Sequence, residues 1–534
     1  MQPYIGLFTI GPVQSFISQA RKLQDLHAGS QMLSHFANEA AEWLRKHGVE
    51  VIFPAKDLES APNRILFTYP AEEATAVADL CKECEVYLRE EFLLFCGEQL
   101  QKPQCNLKMT EPVKSQLEPF LKFFWAAASL GDDYGEAYRL LLLRLGAAKT
   151  VRAFEQNTEP SARKCSITGQ QNALFAPKKW KPPWIREQKN LSEHCQFLDS
   201  GNQFLKDNEA LSAIAFIKRC YGVPENEDPE NKATAFPSTR LIAKGKLFPE
   251  SKDLSQDEQD EKSKKEEDTD RYYAILCFDG DKMGEKYGEC KSAEAQAFLS
   301  KKLGEFARWA RDYVESDPPK GRLIYAGGED FLGVFPLNTV YAALRGLREK
   351  FLETFQAEKI TFSAGLVFAH CKTPLRIALE QCRAMEHMAK ENGRNALAIA
   401  ALKHSGSIET AWFRFNDNLL SATEHLYKAM RVEKICSANF VYALMEEFQP
   451  LLTETRPCEN FYDMFVAEAK RLLRRSLSES FSEEKRAKAG EELSENLQTI
   501  CNEMEQMQAV RLLRIFAFVA RNGGDWKEEE RKDD

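Results

Sequence analysis

The feature that most constrains the fold of this chain is an element order that its hydrophobic pattern predicts twice. In the first copy, YIGLFTI at 4–10 indicates a buried strand, and an amphipathic stretch follows from Val13 to about His47. Two apolar runs, at 49–54 and 64–70, then precede a helical segment at 73–96. The predicted order is therefore strand, helix, strand, strand, helix.

The same order returns later in the chain. RYYAILCFDGD at 271–281 is followed by a helix at about 293–315, by the strands RLIYAGG and DFLGVFPL, which meet at a Gly-Gly turn, and by a helix at about 339–356. The strand ITFSAGLVFAH, a helix from about Pro374 to Glu391 and the strand NALAIAAL complete this copy. Because this is the order of a ferredoxin-like, split βαβ domain, we predict an α+β chain with two such domains.

The segments outside the two copies have different compositions. The region between them is rich in Lys, Trp, Pro and Asn and has little periodicity until ALSAIAFIKRCY, and SKDLSQDEQDEKSKKEEDTD is almost entirely polar. After about residue 406 only helical periodicity is visible. The predicted parts are a first ferredoxin-like domain at 1–159, a small inserted domain at 160–250, a charged flexible loop at 251–270, a second ferredoxin-like domain at 271–405 and a helical bundle at 406–534.

Size and charge limit the classes of function. At 534 residues the chain is too long for a single core, in agreement with several domains. The net charge of −9 provides no overall positive field for nucleic acid, so any RNA contact is expected to be local or shared with partner subunits. No apolar run approaches the roughly 18 residues of a membrane span, and we expect a cytoplasmic protein that does not enter a membrane.

The cysteines favour reduced thiols in cores over a metal site. The fourteen cysteines lack the dense spacing of a secreted scaffold. Cys81 and Cys84 form the only CxxC pair, on a segment with helical periodicity, and no second CxxC pair exists to complete a zinc site. We therefore interpret them as neighbours on one helix.

Acidic residues lie where the strands of the second domain end. Asp279 and Asp281 end its first strand, and Glu329 and Asp330 lie at the tip of the next hairpin. Since these strands are neighbours in a split βαβ sheet, the carboxylates are expected to converge and to repel one another unless a divalent metal compensates. The all-oxygen ligands predict two Mg²⁺ ions and a nucleoside triphosphate.

Two further features point to phosphate binding. Gly327 and Gly328 permit a tight turn and a close approach of the backbone to phosphates. In AKENGRNAL, Lys390 and Arg394 are four residues apart at the end of a predicted helix, where they would share a face and grip the β- and γ-phosphates. An ordinary hairpin turn with exposed acids is the alternative interpretation of Gly-Gly-Glu-Asp.

GGEDF at 327–331, the strand that ends at Asp279 and AKENGRN at 389–395 together resemble the GGDEF-type nucleotide cyclase domain and its palm-polymerase relatives. That resemblance implies that Asp279 and Glu329 bind metal, and that Asp330 supports the metal or polarises the nucleophile. It also implies that Lys390 and Arg394 bind phosphates. The further nucleotide contacts that it implies are Gly280, through its backbone, with Asp281, Lys282, Gly327 and Gly328.

Additional motifs narrow the family. IGPVQSFISQARKLQDLHAGS, FPSTRLIA, FDGDKMGEKYG and the run from SAGLVFAH to NALAIA resemble the large polymerase-cyclase subunit of type III CRISPR effector complexes, with the Cmr-type (III-B) branch the best match. The resemblance implies two palm domains, two Mg²⁺ or Mn²⁺ ions and ATP as substrate. It also implies guide RNA, target RNA and sister Cmr-type subunits as partners, and RNA-activated synthesis of a nucleotide messenger, usually cyclic oligoadenylate.

Other positions take their interpretation from that resemblance. The acceptor nucleotide would lie between the palms, so His27 and Ser30 in DLHAGS are candidate contacts, although a helix bend at Gly29 and Ser30 explains the motif equally well. The positions of a four-cysteine zinc site retain only Cys165, so we expect no structural zinc and a small domain held by apolar packing. None of the eight histidines precedes an aspartate, which predicts no HD-type DNase activity.

Three alternatives to cyclic oligoadenylate synthesis remain open. The palm could join AMP to another acceptor, such as S-adenosylmethionine, particularly because Glu329 stands where the family more often has aspartate. The chain could be a catalytically silent scaffold that only holds RNA and sister subunits. A stand-alone diguanylate cyclase is the third option, but it explains neither two palms nor residues 10–30.

Overall fold

The computed structural model describes residues 2–56, 61–103, 105–151, 159–179, 191–199, 202, 204–222, 236–249, 272–448 and 461–523. The charged loop predicted at 251–270 lies outside these described residues. The chain divides into two compact units. The first comprises Met1–Phe236, Lys282–Arg308 and Ile324–Gly328, and the second comprises Pro237–Asp281, Trp309–Leu323 and Glu329–Asp534. The five-part division predicted from the sequence stays a prediction.

A four-stranded antiparallel sheet organises the N-terminal part of the first unit. Its strand order, β2-β3-β1-β4, is that of a ferredoxin-like domain, as the sequence predicted. The fourth strand and the helix after it were not predicted. The elements are β1 (Gln2–Gly11), α1 (Gln14–Ser18), α2 (Leu23–Lys46), β2 (Glu50–Phe53), β3 (Arg64–Ala71), α3 (Ala74–Gln101), α4 (Glu111–Leu117), β4 (Lys122–Ser129) and α5 (Tyr134–Thr150).

One face of this sheet packs against α5. Ile5 and Leu7 of β1 alternate toward this core, where they meet Leu141 of α5, because successive strand residues face opposite sides of a sheet. Cys81 and Cys84 lie on α3 and are fully buried, which confirms their interpretation as helix neighbours. The rest of the unit includes the short strands β5 (Phe175–Pro177) and β6 (Gln196–Leu198) and the helix α6 (Ala213–Gly222).

Two buried cations of α6 fasten it to the segment around α1 and α2. The ammonium of Lys218 donates to the carbonyl oxygens of Phe16, at 2.5 Å, and Gln19, at 3.1 Å. Arg219 forms a two-armed ion pair with Asp25 of α2 and also reaches Glu209 at 3.1 Å. These contacts satisfy buried charges that would otherwise be costly.

The second sheet has six strands in the order β12-β11-β10-β7-β9-β8. The strands β10, β7, β9 and β8 reproduce the ferredoxin-like order, and β11 pairs in parallel with β10. The elements are α7 (Thr239–Ala243), β7 (Tyr272–Gly280), α8 (Met283–Glu289), α9 (Ala293–Glu315), β8 (Arg322–Gly327), β9 (Asp330–Phe335), α10 (Val340–Thr354), β10 (Phe362–His370), α11 (Leu375–Glu391), β11 (Ala396–Leu402) and β12 (Ile408–Arg414).

Five helices follow this sheet in the described part of the second unit. Their packing agrees with a C-terminal bundle, but the prediction that only helices lie beyond residue 406 is wrong, because β12 pairs antiparallel with β11. Among the described residues, no helix is long and apolar enough to cross a membrane. The helices are α12 (Asp417–Arg431), α13 (Asn439–Phe448), α14 (Phe461–Arg475), α15 (Glu483–Glu503) and α16 (Gln506–Asn522).

Candidate active site

Asp279 and Asp330 stand at the ends of two neighbouring strands of the second sheet. The register of β7 and β9 pairs Phe278 with Phe331, and the Gly280 amide donates to the carbonyl oxygen of Glu329 at 3.3 Å. Asp279 directly follows Phe278, and Asp330 directly precedes Phe331. The two carboxylates therefore face each other at one edge of the sheet. The predicted convergence of the acids is present for these two residues.

Aromatic stacking makes a rigid base beneath these acids. The ring of Phe278 stacks on Phe331, with centroids 4.6 Å apart, and on Phe362 of β10, with centroids 4.2 Å apart. Almost all of β7 is buried. Because stacked and fully packed rings have little freedom, the strand end that carries Asp279 is held in a fixed position.

Lys390 lies between two carboxylates in the candidate site. Its ammonium contacts Asp279 and is 2.7 Å from Glu386, which precedes it by one turn on α11. Burial alone would lower the pKa of Lys390, but the hydrogen bonds and charges of Asp279 and Glu386 raise the pKa above its usual value. The ammonium therefore stays charged. The predicted phosphate contact of Lys390 stays a prediction.

The negatively charged groups around Asp330 outnumber the positively charged ones. Dense packing of protein around the group raises its pKa well above the usual value, together with the charge and hydrogen bond of Asp279 and the charges of Glu329 and Glu386. The residue keeps an exposed surface, and the carboxylates of Asp279, Glu329 and Glu386 are close enough to disfavour its ionisation. A cation bound at this place would stabilise the ionised form of the Asp330 carboxyl group, because it would offset the charge of the neighbouring acids.

Asp281 is buried and already occupied by donors of the protein. Its oxygens accept hydrogen bonds from the hydroxyl of Thr361 at 2.6 Å, the hydroxyl of Ser363 at 2.6 Å and the amide of Asn395 at 2.9 Å. In addition, the Asp281 amide donates to the Thr361 carbonyl at 2.7 Å. Asp281 therefore ties the end of β7 to β10 and to the turn after α11. Its predicted nucleotide contact stays a prediction.

That turn corrects one argument made from the sequence. Lys390 and Arg394 do not share a helical face, because α11 ends at Glu391 and Arg394 lies beyond it with φ +62°. Gly393 and Asn395 also have positive φ, which makes three successive left-handed residues. A Cβ atom at 393 would clash with the guanidinium of Arg414. The side chain of Arg394 is exposed at this fixed turn.

The glycines and Lys282 have separable local roles. Gly327 ends β8, and Gly328 has φ +62° with open space where a Cβ would lie, so backbone conformation rather than lack of room favours glycine there. Lys282 has φ +58°, precedes α8 and pairs with Glu285 at 3.1 Å. The nucleotide contacts implied for Gly280, Gly327, Gly328 and Lys282 stay predictions.

His27 and Ser30 lie on α2 in the first unit. The ring of His27 stacks on Phe236 at 5.0 Å, and the side chain of Ser30 is buried. The neighbouring Gly29 provides space for Lys218, whose Cε would lie 2.5 Å from a Cβ at that position. Packing therefore accounts for this glycine. The proposed acceptor contacts of His27 and Ser30 stay predictions.

The sequence interpretation missed Glu386 and the hydroxyls of Thr361 and Ser363. Glu386 precedes Lys390 by four residues on a predicted helix, a spacing that places two side chains together, so this partner could have been found. Thr361 and Ser363 reach Asp281 only through strand register, which no local signal reveals.

The donor set suits a hard divalent cation. Asp279, Glu329 and Asp330 offer only oxygen ligands, and the pKa of Asp330 is raised by burial and then by the neighbouring carboxylates. Among the described residues, however, no group of three or more His, Cys, Asp or Glu side chains is placed so that it could hold a metal ion in this conformation. The Lys390 ammonium contacts Asp279 in this conformation, so it competes with a metal for that carboxylate.

Comparison with known proteins identifies related sequences for two segments. Residues 272–398 match the family model described as Cas10/Cmr2, second palm domain, and residues 5–61 match the model of the N-terminal part of the CRISPR-associated protein Cmr2. The CRISPR system Cmr subunit Cmr2 of Pyrococcus furiosus is 32% identical over 169 residues, which are 26% of this chain and 19% of that protein. The sequence match thus spans about a fifth of this curated relative.

Solved structures match over nearly the whole chain. A type III-B Cmr-beta complex bound to cognate target RNA contains a chain with a TM-score of 0.66 and 12% identity, covering 97% of this chain and 83% of that chain. The Csm1–Csm4 cassette in complex with cA4 gives a TM-score of 0.51 at 13% identity, with 97% and 70% covered. The same cassette with one ATP gives 0.50 at 13% identity, with 98% and 70% covered. At these identities the likeness establishes the fold.

Proposed function

Because the chain belongs to the Cas10/Cmr2 family and to its Cmr type, we propose that it is the nucleotidyltransferase subunit of a type III CRISPR effector complex. In this proposal, binding of target RNA to the assembled complex switches on the synthesis of a nucleotide second messenger from ATP. The ribose 3′-hydroxyl of one nucleotide attacks the α-phosphate of another, and pyrophosphate leaves.

The observation that carries this proposal is the facing pair of Asp279 and Asp330. Two carboxylates at adjacent strand ends, with surplus negative charge and a lysine as the nearby cation, suit the binding of metal and triphosphate. Two Mg²⁺ or Mn²⁺ ions held by Asp279, Glu329 and Asp330 would activate the attacking hydroxyl and stabilise the leaving pyrophosphate. A structure that only held RNA and sister subunits would have no use for this arrangement.

The chain's own residues divide the remaining tasks. Asp281 fixes the end of β7 and the turn at 393–395, and that turn presents the exposed side chain of Arg394 toward solvent, where it can bind a phosphate. Lys390 brings a positive charge to the carboxylates of the candidate site.

The relatives support the identity of substrate, product and partners. The Csm1–Csm4 cassette binds cA4 in one structure and ATP in another, which supports ATP as substrate and cyclic oligoadenylate as the product class. The Cmr-beta complex bound to cognate target RNA supports target RNA and the other subunits of such a complex as partners, while guide RNA and a cytoplasmic location stay predictions. The absence of HD-type DNase activity and of structural zinc stay predictions.

The experiment that tests the proposal uses the assembled complex with target RNA, Mg²⁺ and labelled ATP, with and without S-adenosylmethionine. We expect adenylate products only when target RNA is present, and their loss in Asp279→Ala and Asp330→Ala complexes. If a labelled product forms only in the presence of S-adenosylmethionine, the acceptor is S-adenosylmethionine and the assignment of the site is unchanged. If no product forms in either arm and Mg²⁺-dependent ATP binding is also absent, the chain is a scaffold.

A further inference from the structure

Glu386 is a carboxylate of the candidate site that neither the sequence motifs nor the proposed reaction uses. It lies on α11, is 14% exposed and is 2.7 Å from the ammonium of Lys390. Its charge also acts on Asp330. Lys390 is thus shared between Glu386, on its own helix, and Asp279, at the end of β7.

The packing of α11 holds Glu386 in place. Gly365 of β10 allows the helix to lie close to the sheet, since a Cβ there would be 2.6 Å from the Glu386 amide nitrogen and would clash with the carbonyl of Cys382. The thiol of Cys382 is in turn 3.0 Å from that of Cys277 on β7. The strand with Asp279 and the helix with Glu386 therefore form one rigid body within the second unit.

This arrangement has a consequence for metal binding. The Lys390 ammonium contacts one oxygen of Asp279, Oδ2, and its positive charge opposes the binding of a divalent cation there, so metal binding at Asp279 favours movement of the ammonium away from it. Lys has three N–H donors, and a lysine that leaves one carboxylate needs another partner nearby to avoid an unpaired charge. Glu386 is that partner, because it already binds the same ammonium.

We propose that Glu386 is a positioning residue that retains the ammonium of Lys390 when a divalent metal displaces it from Asp279, and that directs it toward the triphosphate. Before metal binds, Lys390 is the counter-ion of Asp279. Afterwards, the metal takes Asp279 and Lys390 keeps Glu386 as its anchor, with its remaining donors available to phosphate oxygens. This inference rests on the proposed function for the identity of the triphosphate, but not for the exchange of cations.

The first test measures the affinity of the full chain for Mn²⁺ without any nucleotide. Lys390→Met removes the competing ammonium, so we expect Mn²⁺ to bind about tenfold more tightly, while Mn²⁺-ATP binds more weakly. Lys350→Met is the matched control, since Lys350 is also partly buried and pairs with Glu353 at 3.0 Å on α10. A lysine that only binds phosphate would leave the nucleotide-free affinity unchanged, and that result would overturn the proposal.

The second test distinguishes an anchor for Lys390 from a direct metal ligand. Glu386→Gln should weaken nucleotide-free Mn²⁺ binding about tenfold, because Lys390 then has only Asp279 as a partner and competes more strongly. In the Lys390→Met background the same substitution should have little effect, a coupling that a double-mutant cycle measures. An equal loss in both backgrounds would make Glu386 a ligand and contradict the inference.

Controls separate these outcomes from misfolding and from failure of the proposed reaction. Glu380→Gln alters an exposed glutamate on the same helix, which pairs with Arg376 at 2.7 Å, and should change neither affinity. Each variant should keep the wild-type denaturant midpoint. If the Mn²⁺ results are as expected but the complex forms no product from ATP, the cation exchange stands and the proposed function fails.

Discussion

Replacing Asp281 should loosen the edge of the candidate site without touching the facing acids. Asp281→Ala leaves three donors without their acceptor: the hydroxyls of Thr361 and Ser363 and the amide of Asn395. At about 1 kcal/mol for each donor, the low end of the range because hydroxyls can rotate, the local loss is about 3 kcal/mol. Asp281→Asn keeps the shape and one acceptor oxygen, and should cost about half as much.

Hydrogen exchange read by mass spectrometry measures this effect where it arises. The Asn395 amide donates directly to Asp281, so a local loss of about 3 kcal/mol should speed exchange in a peptide covering 393–397 by about a hundredfold. Asp79→Ala is the control, because that carboxylate and the ammonium of its partner Lys82 are both exposed, at 66% and 64%. Unchanged exchange at 393–397 in Asp281→Ala would refute the assignment of Asp281 to holding this turn.

Three further predictions test other parts of the structure. Gly393→Ala should lower ATP affinity more than Gly406→Ala does, although both have positive φ, because only Gly393 belongs to the turn that carries Arg394; equal ATP affinities would contradict this. Burial lowers the pKa of Lys218 to about 7, so between that pH and the usual lysine pKa of about 10.4 the unfolded chain binds more protons than the folded one. The free energy of unfolding should therefore rise with pH across this window, and Lys218→Met should remove that part of the rise in urea titrations. A hydrogen bond from a neighbouring thiol lowers the pKa of the partly exposed Cys105, whereas burial raises the pKa of Cys81 to about 12. Iodoacetamide should therefore alkylate Cys105 before Cys81 in peptide mapping, and faster labelling of Cys81 would contradict the structure.

The sequence was sufficient for features that depend on local pattern. The two ferredoxin-like orders follow from alternation and helical periodicity, and α9 begins and ends where the pattern placed it, at Ala293 and Glu315. The edge that joins Asp279 and Asp330 follows from the order of strands in such a sheet. These features needed no knowledge of distant contacts.

The sequence analysis missed features that depend on strand pairing or on the course of the backbone just beyond a helix. The strand at Ile408–Arg414 is a short edge strand that forms because β11 is beside it, and such context outweighs local propensity. The helix was predicted to end at about Glu391, as α11 does, but helical geometry was wrongly extended to Arg394 although Asn392 and Gly393 are a typical signal for helix termination. The partners of Asp281 come from another strand, so no spacing in the sequence could indicate them.

The central claim is that Asp279 and Asp330 form the reaction centre for nucleotidyl transfer. The most direct measurement is pyrophosphate release from ATP by the assembled complex, started by target RNA in the presence of Mg²⁺. We expect Asp279→Asn and Asp330→Asn to slow release by about a hundredfold or more, and Asp79→Asn, which alters an exposed carboxylate, to leave it unchanged. Release at the wild-type rate in either of the first two variants would contradict the assignment of the site.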